Sequence, residues 1–331
     1  FRDYLLVLFF SGLGLNARLA DIARGGILLV LLLATTLVLI LAQNLLGVAT
    51  ALAFGLPDKL GLLLGSVSLL GGHGTTIAWA PSIGQITGVA GVMEIGIASA
   101  TLGLIVAALL GGPVAKILID RNRLTPETEG ETGMGLSYRQ EGETQITPVE
   151  FTRTMFMLNV VIIAGSALHE VIEAAGYTLP LFVPCMLIAV LVGNLLPLLP
   201  RIPPVAHRPA LALISDFALG TFLAMSLMSM QLWALGGLGS LLVVSVVLQA
   251  MLSLAFAALV FRLMGRNYFA AVLSAGFVGY SMGATPTAIA NMNAVTKSYG
   301  PAPLAFVIVP LISAFFLDLA NAAVIQLFLL F

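Results

Sequence analysis

Two glycine-rich stretches interrupt the apolar runs of this chain with groups that can bind a ligand. The first reads LLGGHGTTIAWAP from Leu69 to Pro81. Glycine lets the backbone reverse direction and approach a ligand closely. A helix that begins just after the reversal, near Thr75, would direct its free N–H groups and the positive end of its dipole at the turn. A carboxylate binds well at such a helix N-terminus, so the first stretch is predicted to be an anion site.

The second stretch reads AAVLSAGFVGYSMGATPTAIANM from Ala270 to Met292. Small and polar residues flank its proline, Pro286, and a proline suits the first turn of a helix. We therefore predict a helix that continues through Ala288 to Met292. The threonines at positions 75, 76, 285 and 287 also fit a role as helix caps, and one hydroxyl can both cap a helix and bind a ligand.

Four other polar side chains lie in apolar surroundings. Asp318 lies well inside the last apolar run, where an ionisable group is costly and marks a functional candidate; Asn321 follows one turn later on the same face. Glu94, early in its helix, is a similar candidate or simply complements the helix dipole. His73 fits a proton carrier or a metal ligand, but a neutral histidine that fixes the turn by hydrogen bonding is favoured.

The composition is that of a polytopic membrane protein. Hydrophobic residues make up 60% of the 331 residues, charged residues make up 9%, and the mean hydropathy is +1.09. In soluble domains about 25% of the residues are charged. One membrane crossing needs roughly 20 apolar residues, so we predict spans from the longest apolar runs. These runs are 4–17, 25–51, 90–119, 153–174, 179–199, 210–230, 240–262 and 301–328.

The placement of lysine and arginine indicates that the two glycine-rich stretches do not cross the membrane. Basic residues in short loops stay on the cytoplasmic side, and a complete crossing would put Lys116 or Lys297 outside. Residues 61–83 and 268–292 are therefore predicted to be re-entrant hairpins. The first enters from outside and the second from inside. Residues 120–152 form the only long polar stretch and are predicted to be a cytoplasmic linker.

The linker separates two halves with a similar pattern. Residues 1–119 are predicted to be a first repeat and residues 153–331 a second. FFSGLGLNARLADIARGG at Phe9 resembles FLAMSLMSMQLWALGGLG at Phe222, at a spacing of about 210 residues, and each precedes a crossing, a hairpin and another crossing. Because the hairpins enter from opposite sides, the repeats are inverted, which is typical of secondary transporters. The predicted fold class is an all-α polytopic membrane protein with inverted-topology repeats, and two further helices are expected before Phe9.

The sequence shows no arrangement of residues for an enzyme reaction. Catalysis would require a nucleophile with a positioned base, or a metal cluster. The single cysteine, Cys185, has no histidine in its segment, and the acidic residues are scattered. We therefore expect a transporter with no organic cofactor and no nucleic-acid partner. A channel is the other class of membrane protein that fits, but inverted hairpins with an ionisable core residue favour alternating access.

Five segments together resemble one known family. They are FFSGLGLNA, LLGGHGTTIAW, ATLGLIVAALLGGPVAK, GATPTAIANMNAVT and VPLISAFFLDLANAAVI. In this order they are similar to the bacterial sodium/glutamate symporters. The linker, the stretch APSIGQITGVAG and a missing N-terminal helix pair depart from that pattern. The resemblance implies two inverted five-helix repeats in a homodimer of the bacterial inner membrane, which carries L-glutamate inward with Na⁺ by an elevator-like movement.

The helix N-termini of the hairpins and the polar groups inside the apolar runs indicate where substrate and ion bind. The expected substrate-binding residues lie in the two hairpins: Gly72, His73, Gly74, Thr75, Thr76, Ser281, Gly283, Ala284, Thr285, Thr287 and Asn291. Na⁺ prefers hard oxygen ligands, so Asp318, Asn321 and Glu94 are the expected sodium ligands. Alternative roles for Asp318 are to hold the ammonium group of the substrate or to bond a neighbouring hairpin. The alternative functions are a sodium-coupled symporter of another dicarboxylate and a sodium/proton exchanger.

Overall fold

Helices make up most of the described chain. The computed structural model describes residues 1–16, 26–126, 146–174, 180–198, 208–228 and 237–330, and no β-strand occurs among them. The α-helices are α1 (Arg2–Asn16), α2 (Gly26–Ala53), α3 (Ser66–Leu69), α4 (Gly72–Thr87), α5 (Val92–Asn122), α6 (Pro148–Ala174), α7 (Phe182–Leu195), α8 (Pro209–Met228), α9 (Gly239–Leu263), α10 (Tyr268–Ser281), α11 (Thr285–Tyr299), α12 (Ala305–Leu311) and α13 (Leu317–Leu330). The prediction of an all-α protein is confirmed. Much of the predicted linker, residues 127–145, lies outside the described residues.

Several helices are suited to a lipid environment. Within the described ranges, α2, α5, α6 and α9 are long and apolar enough to cross a membrane, and α7, α8, α10 and α13 contain shorter apolar stretches. The large side chains of Val38, Leu41, Leu45 and Leu52 are exposed along one face of α2. A helix on the surface of a soluble protein would show polar residues on that face. The chain is therefore a membrane protein.

Two helices extend into the predicted linker, and local features of the backbone set where each of them starts or ends. α6 begins at Pro148 because the Thr147 hydroxyl accepts a hydrogen bond from the Glu150 N–H at 3.2 Å and proline fits the first helical position. α5 continues to Asn122, three residues past the predicted end of its apolar run. It stops where Arg123 adopts a left-handed backbone with a φ of 51°.

The chain forms two compact units, and the first consists of Phe1–Leu19 and Glu127–Ser226. In this unit α7 packs against both α1 and α6. The absence of a side chain at Gly165 lets α6 approach α7 closely, because a Cβ there would lie 2.6 Å from the Cys185 sulfur. The rings of Phe10 and Phe182 pack with centroids 4.4 Å apart. Cys185 is fully buried, so it serves as a packing residue.

The second unit consists of Ala20–Pro126 and Leu227–Phe331, so each unit takes chain from both predicted repeats. The same order of elements occurs twice in this unit: a long helix, a broken helical segment and a further long segment. The first copy is α2, the elements from Asp58 to Thr87, and α5. The second copy is α9, then α10 with α11, then the elements from Ala305 to Leu330. The inverted direction of the two copies stays a prediction.

The first broken segment contains a 3₁₀-helix (Asp58–Leu64), α3 and α4. We call residues 71–74 the first tip. It lies between α3 and the body of α4 and includes the first three residues of α4. Gly72 has a φ of 64°, a conformation that glycine adopts readily and other residues rarely do. α4 runs four residues beyond the predicted end of the hairpin at position 83 and stops at Gly88.

The second broken segment contains α10 and α11. α10 starts after Asn267, whose side chain accepts a hydrogen bond from the Ala270 N–H at 2.9 Å, and it is buried along its whole length. Residues 282–284, here called the second tip, connect it to α11. As predicted, Pro286 lies in the first turn of α11. The helix then continues past the predicted end at Met292 to Tyr299.

The last predicted span is divided by a π-helical turn at Ile312–Phe316, between α12 and α13. Pro310 lies just before this turn. A proline has no N–H and cannot complete the regular hydrogen-bond pattern of a helix, and a wider turn accommodates such an interruption. Asp318 follows the turn directly, in the first turn of α13. Short π segments within α-helices are frequent at functional sites.

Candidate functional site

The two tips meet each other and α5. A Cβ on Gly72 would lie 3.5 Å from the carbonyl oxygen of Gly283. The Nε2 atom of His73 lies 3.0 Å from the hydroxyl of Thr101 on α5. The second tip packs on Gly103 of the same helix, where an added Cβ would lie 2.6 Å from a tip carbonyl. The two glycine-rich stretches, which are about 200 residues apart in the chain, thus come together along one or two turns of α5.

Both helices that start at the tips lack a capping side chain. α4 follows Gly71 and α11 follows Ala284, and neither cap residue makes a side-chain hydrogen bond. The first N–H groups of a helix have no partner within the helix, and its dipole adds about half a positive charge there. Residues 71–74 and 284–285 are half-buried, so a ligand can reach them. Two such N-termini form a suitable site for carboxylate groups.

The four threonines that directly follow the tips differ in their hydrogen bonding. Thr76 is fully buried and donates a hydrogen bond to the Gly72 carbonyl at 2.7 Å, so its hydroxyl stabilises the first tip. Thr75 is buried as well, and its side chain packs against Gly71. Thr285 and Thr287 are half-buried in the first turn of α11. Their hydroxyls make no hydrogen bond to the described part of the chain, so these two are available to a ligand.

His73 is held as a hydrogen-bond donor. The Thr101 hydroxyl donates its single proton to the Ile97 carbonyl at 2.8 Å. At the 3.0 Å contact the donor is therefore His73 Nε2, which places a proton on that nitrogen. This geometry is the one expected of a histidine that fixes the first tip on α5.

We expect the hydrogen bond between His73 and Thr101 to stabilise the protein by about 1 kcal/mol. The variants His73→Leu and Thr101→Val, alone and together, form a double-mutant cycle in thermal unfolding of the purified protein. Each single variant should unfold at a lower temperature, and the double variant should lose less than the sum of the two. His73→Gln, which keeps a side-chain N–H, should recover part of the loss. Strictly additive effects would contradict the bond.

Ser281 and Asn291 hold the second broken segment in place. Asn291 is 5% exposed, and its Nδ2 donates a hydrogen bond to the Ala107 carbonyl of α5 at 3.1 Å. The Ser281 carbonyl accepts a hydrogen bond from Gln43 Nε2 at 2.8 Å, and the Ser281 hydroxyl lies 2.5 Å from the hydroxyl of Ser253. Both side chains are thus bonded to protein groups. Their direct contact with a ligand stays a prediction.

The three predicted sodium ligands differ in their surroundings. Asn321 is fully buried and bonded to Ser66 of α3. Asp318 is half-buried, and its carboxyl makes no hydrogen bond or ion pair with the described residues. Glu94 is buried in the first turn of α5, where a negative charge complements the helix dipole. Asp318 is therefore the acidic group of this region that is most available to a ligand.

Sequence reasoning missed two glutamines that lie in long apolar helices. Gln43 of α2 and Gln249 of α9 are both fully buried. Gln43 Nε2 donates to the Ser281 carbonyl at 2.8 Å, and Gln249 Nε2 donates to the Leu64 carbonyl at 3.1 Å. Each glutamine thus bonds the broken segment of the other half of the unit. A polar residue near the middle of a membrane-spanning helix was the signal that could have identified them.

Known proteins resemble this chain along nearly its whole length. A profile of the family described as Sodium/glutamate symporter matches residues 1–301. The sodium/glutamate symporter of Haemophilus influenzae is 38% identical over 326 residues, which cover 97% of this chain and 80% of that protein. The sodium/glutamate symporters of Escherichia coli and Shigella flexneri are each 36% identical over 333 aligned positions, with 99% of this chain and 82% of those proteins covered.

The matched region includes both tips, α5 and the two buried glutamines. The resemblance carried by the five sequence segments is therefore confirmed. Since the family is one of transporters, the protein is a transporter and not an enzyme. The extent of these matches shows that the chain belongs to the sodium/glutamate symporter family.

Proposed function

We propose that this transporter carries L-glutamate into the cell together with Na⁺, across the bacterial inner membrane. The observation that carries the proposal is the meeting of two uncapped helix N-termini at the tips on α5. L-glutamate has two carboxylates, so one binds at the N-terminus of α4 and the other at that of α11. The hydroxyls of Thr285 and Thr287 supply further donors. The names of the relatives, sodium/glutamate symporters, support this assignment.

Asp318 is proposed to provide the negative charge that the substrate ammonium group or the sodium ion requires. Its carboxyl has no hydrogen-bond partner among the described residues, and Asn321 follows one turn later. Glu94 is the third proposed sodium ligand. A dicarboxylate without an amine would leave Asp318 facing two like charges if the substrate ammonium is its partner, which favours an amino acid as substrate.

The transport step is proposed to be an elevator-like movement within a homodimer. The second unit contains both broken segments and all of the candidate site residues, so it can carry the substrate as one body. The first unit, which contains α1, α6, α7 and α8, is proposed to be the stationary part. The broken segments are proposed to be re-entrant hairpins of two inverted repeats.

Transport by purified protein in liposomes tests the proposed function. An inward Na⁺ gradient is expected to drive uptake of radiolabelled L-glutamate, and a K⁺ or proton gradient in its place is expected to give none. Unlabelled glutarate, which is glutamate without its amine, should compete weakly. Strong competition by glutarate would favour the alternative of a dicarboxylate symporter, and uptake driven equally well by protons or K⁺ would reject sodium coupling.

In the same assay, Thr285→Ala is expected to raise the KM for glutamate about tenfold, since a hydrogen bond to a charged group contributes roughly 1.5 kcal/mol. Thr296→Ala is the matched control, because its hydroxyl lies on the same helix and bonds only to carbonyls of that helix. Its KM should equal that of the unchanged protein. Equal KM values for the two variants would show that the N-terminus of α11 does not bind the substrate.

A further inference from the structure

A second polar site lies in the second unit, around Gly65 between the 3₁₀-helix and α3. Five uncharged polar side chains surround this glycine, and all are completely buried: Gln43, Asn44, Ser66, Gln249 and Asn321. A Cβ on Gly65 would lie 2.7 Å from the Gln43 carbonyl and 2.8 Å from Asn44 Oδ1. The missing side chain at Gly65 thus lets these two oxygen atoms approach its backbone closely. We call the five side chains the amide cluster.

Both glutamines of the amide cluster have a side-chain oxygen without a partner. The Nε2 atom of Gln43 donates to the Ser281 carbonyl, and that of Gln249 donates to the carbonyls of Gln43 and Leu64 at 2.8 and 3.1 Å. Each Nε2 atom faces carbonyl oxygens. Exchanging the positions of the amide nitrogen and oxygen in either side chain would place Oε1 against a carbonyl oxygen, so the orientation of both amides is fixed. Each Oε1 atom is buried and accepts no hydrogen bond from the described residues. Such an acceptor requires a hydrogen-bond donor or a cation.

The Ser66 hydroxyl has one proton, but two acceptor oxygens lie within hydrogen-bonding distance of it. Asn44 Oδ1 lies 2.8 Å from it and Asn321 Oδ1 lies 2.6 Å from it. The backbone of Ser66 fixes both amides: its N–H donates to Asn44 Oδ1 at 2.9 Å, and its carbonyl accepts from Asn321 Nδ2 at 3.2 Å. One of the two short oxygen–oxygen contacts therefore lacks a proton. Asn44 Nδ2 also has no hydrogen-bond partner among the described residues. It is a donor, so it is not counted among the unpartnered acceptors.

We propose that a sodium ion binds in the amide cluster and that the side-chain oxygens of its five residues are the ligands. Hard cations prefer carbonyl, amide and hydroxyl oxygens, and a cation relieves the surplus of acceptors. Asp318, one helical turn before Asn321, supplies a nearby negative charge. The proposal rests on the proposed function, since it assigns the place of the coupled ion. Of the three sodium ligands proposed above it keeps Asn321, and it replaces Asp318 and Glu94 by the other members of the amide cluster. Because residues of both halves of the second unit contribute, binding of the ion ties α2 and α9 to the first broken segment.

Thermal unfolding of the purified protein measures binding of the ion without transport. NaCl is titrated against choline chloride at constant ionic strength, with and without L-glutamate. Na⁺ should raise the unfolding temperature of the unchanged protein, and KCl should not. The quantity compared is the Na⁺ concentration that gives half of the maximal rise in unfolding temperature. Ser66→Ala and Gln249→Met should each increase this concentration about 10- to 100-fold, which is the usual effect of disturbing the surroundings of a bound metal. Gln249→Met is included because it removes an unpartnered oxygen directly.

Ser274→Ala is the matched control, since Ser274 is equally buried and its hydroxyl bonds to carbonyls of α9 and α10 outside the amide cluster. It should respond to Na⁺ as the unchanged protein does. An unchanged Na⁺ response in Ser66→Ala, or in Gln249→Met should the first variant not fold, would overturn the proposed site. Equal stabilisation by K⁺ would overturn the assignment to sodium. If Na⁺ drives uptake in liposomes but does not change the unfolding temperature, only this inference is rejected. If uptake does not depend on Na⁺, the proposed function itself is rejected.

Discussion

The Gly47→Val variant is expected to yield no folded protein. Gly47 of α2 packs directly on the 3₁₀-helix, where a Cβ would contact the Gly61 carbonyl and lie 3.0 Å from the Gly65 nitrogen. These neighbours are backbone atoms, which cannot move aside as a flexible side chain can. A valine there separates α2 from the first broken segment and breaks the hydrogen bonds around Ser66. We expect a loss of more than about 4 kcal/mol, which is exceptional for one substitution.

Gly220→Val in α8 is the matched control for this prediction. Gly220 is also a helical glycine, but an added Cβ would meet nothing within 4 Å. Valine is a better helix former than glycine, so this variant should fold normally. Size-exclusion chromatography in detergent and thermal unfolding compare the two. Monodisperse Gly47→Val protein with the unfolding temperature of the control would contradict the close packing of α2 on the first broken segment.

The Gly72→Ala variant is expected to fold but to lose L-glutamate uptake. Gly72 has a φ of 64°, and its new methyl group would lie 3.5 Å from the Gly283 carbonyl, between the two tips. An L-residue in this conformation costs about 1–2 kcal/mol, which the first tip relieves by shifting. A displacement of about 1 Å at a binding site can lower a rate 100-fold, so we expect a loss of at least that size. Initial uptake rates in liposomes measure it.

The Gly88→Ala variant is the control that distinguishes the effect of backbone strain from the effect of a changed distance between the tips. Gly88 also has a φ of 64°, but it lies at the other end of α4, and an added Cβ would meet no atom within 4 Å. Both alanine variants should therefore show a similar decrease in unfolding temperature, while Gly88→Ala keeps near-normal uptake. If both variants lost uptake equally, the gap between the tips would have no special role in transport.

The positions of the long helices could be predicted because a membrane span is defined mainly by its apolar length. The run 240–262 corresponds closely to α9, and the run 25–51 to α2. The breaks in the two glycine-rich stretches were also visible, since glycine and proline mark such sites by their backbone chemistry. The proposed anion site at the tips followed from these breaks. It required no knowledge of which distant residues meet.

The amide cluster could not be predicted in this way. Gln43 and Asn44 are polar residues in an apolar run, but nothing in the run tells which carbonyls their amides will bond. Gln249, which bonds the Gln43 carbonyl, is 206 residues away. The π-helical turn before Asp318 was equally invisible, because it changes the hydrogen-bond pattern of the backbone and not the hydropathy of the residues.

The reciprocal bonds of the two glutamines also constrain how the protein is made. Gln43 and Ser281 are 238 residues apart, and Leu64 and Gln249 are 185 residues apart. A ribosome delivers the N-terminal part first, so α2 and the first broken segment are synthesised long before their partners. Until then their buried amides and carbonyls must bond to temporary partners in the lipid or in the insertion machinery. The hydrogen bonds that join the two halves of the second unit can therefore form only late in the synthesis of the chain, after Gln249 and Ser281 have been added.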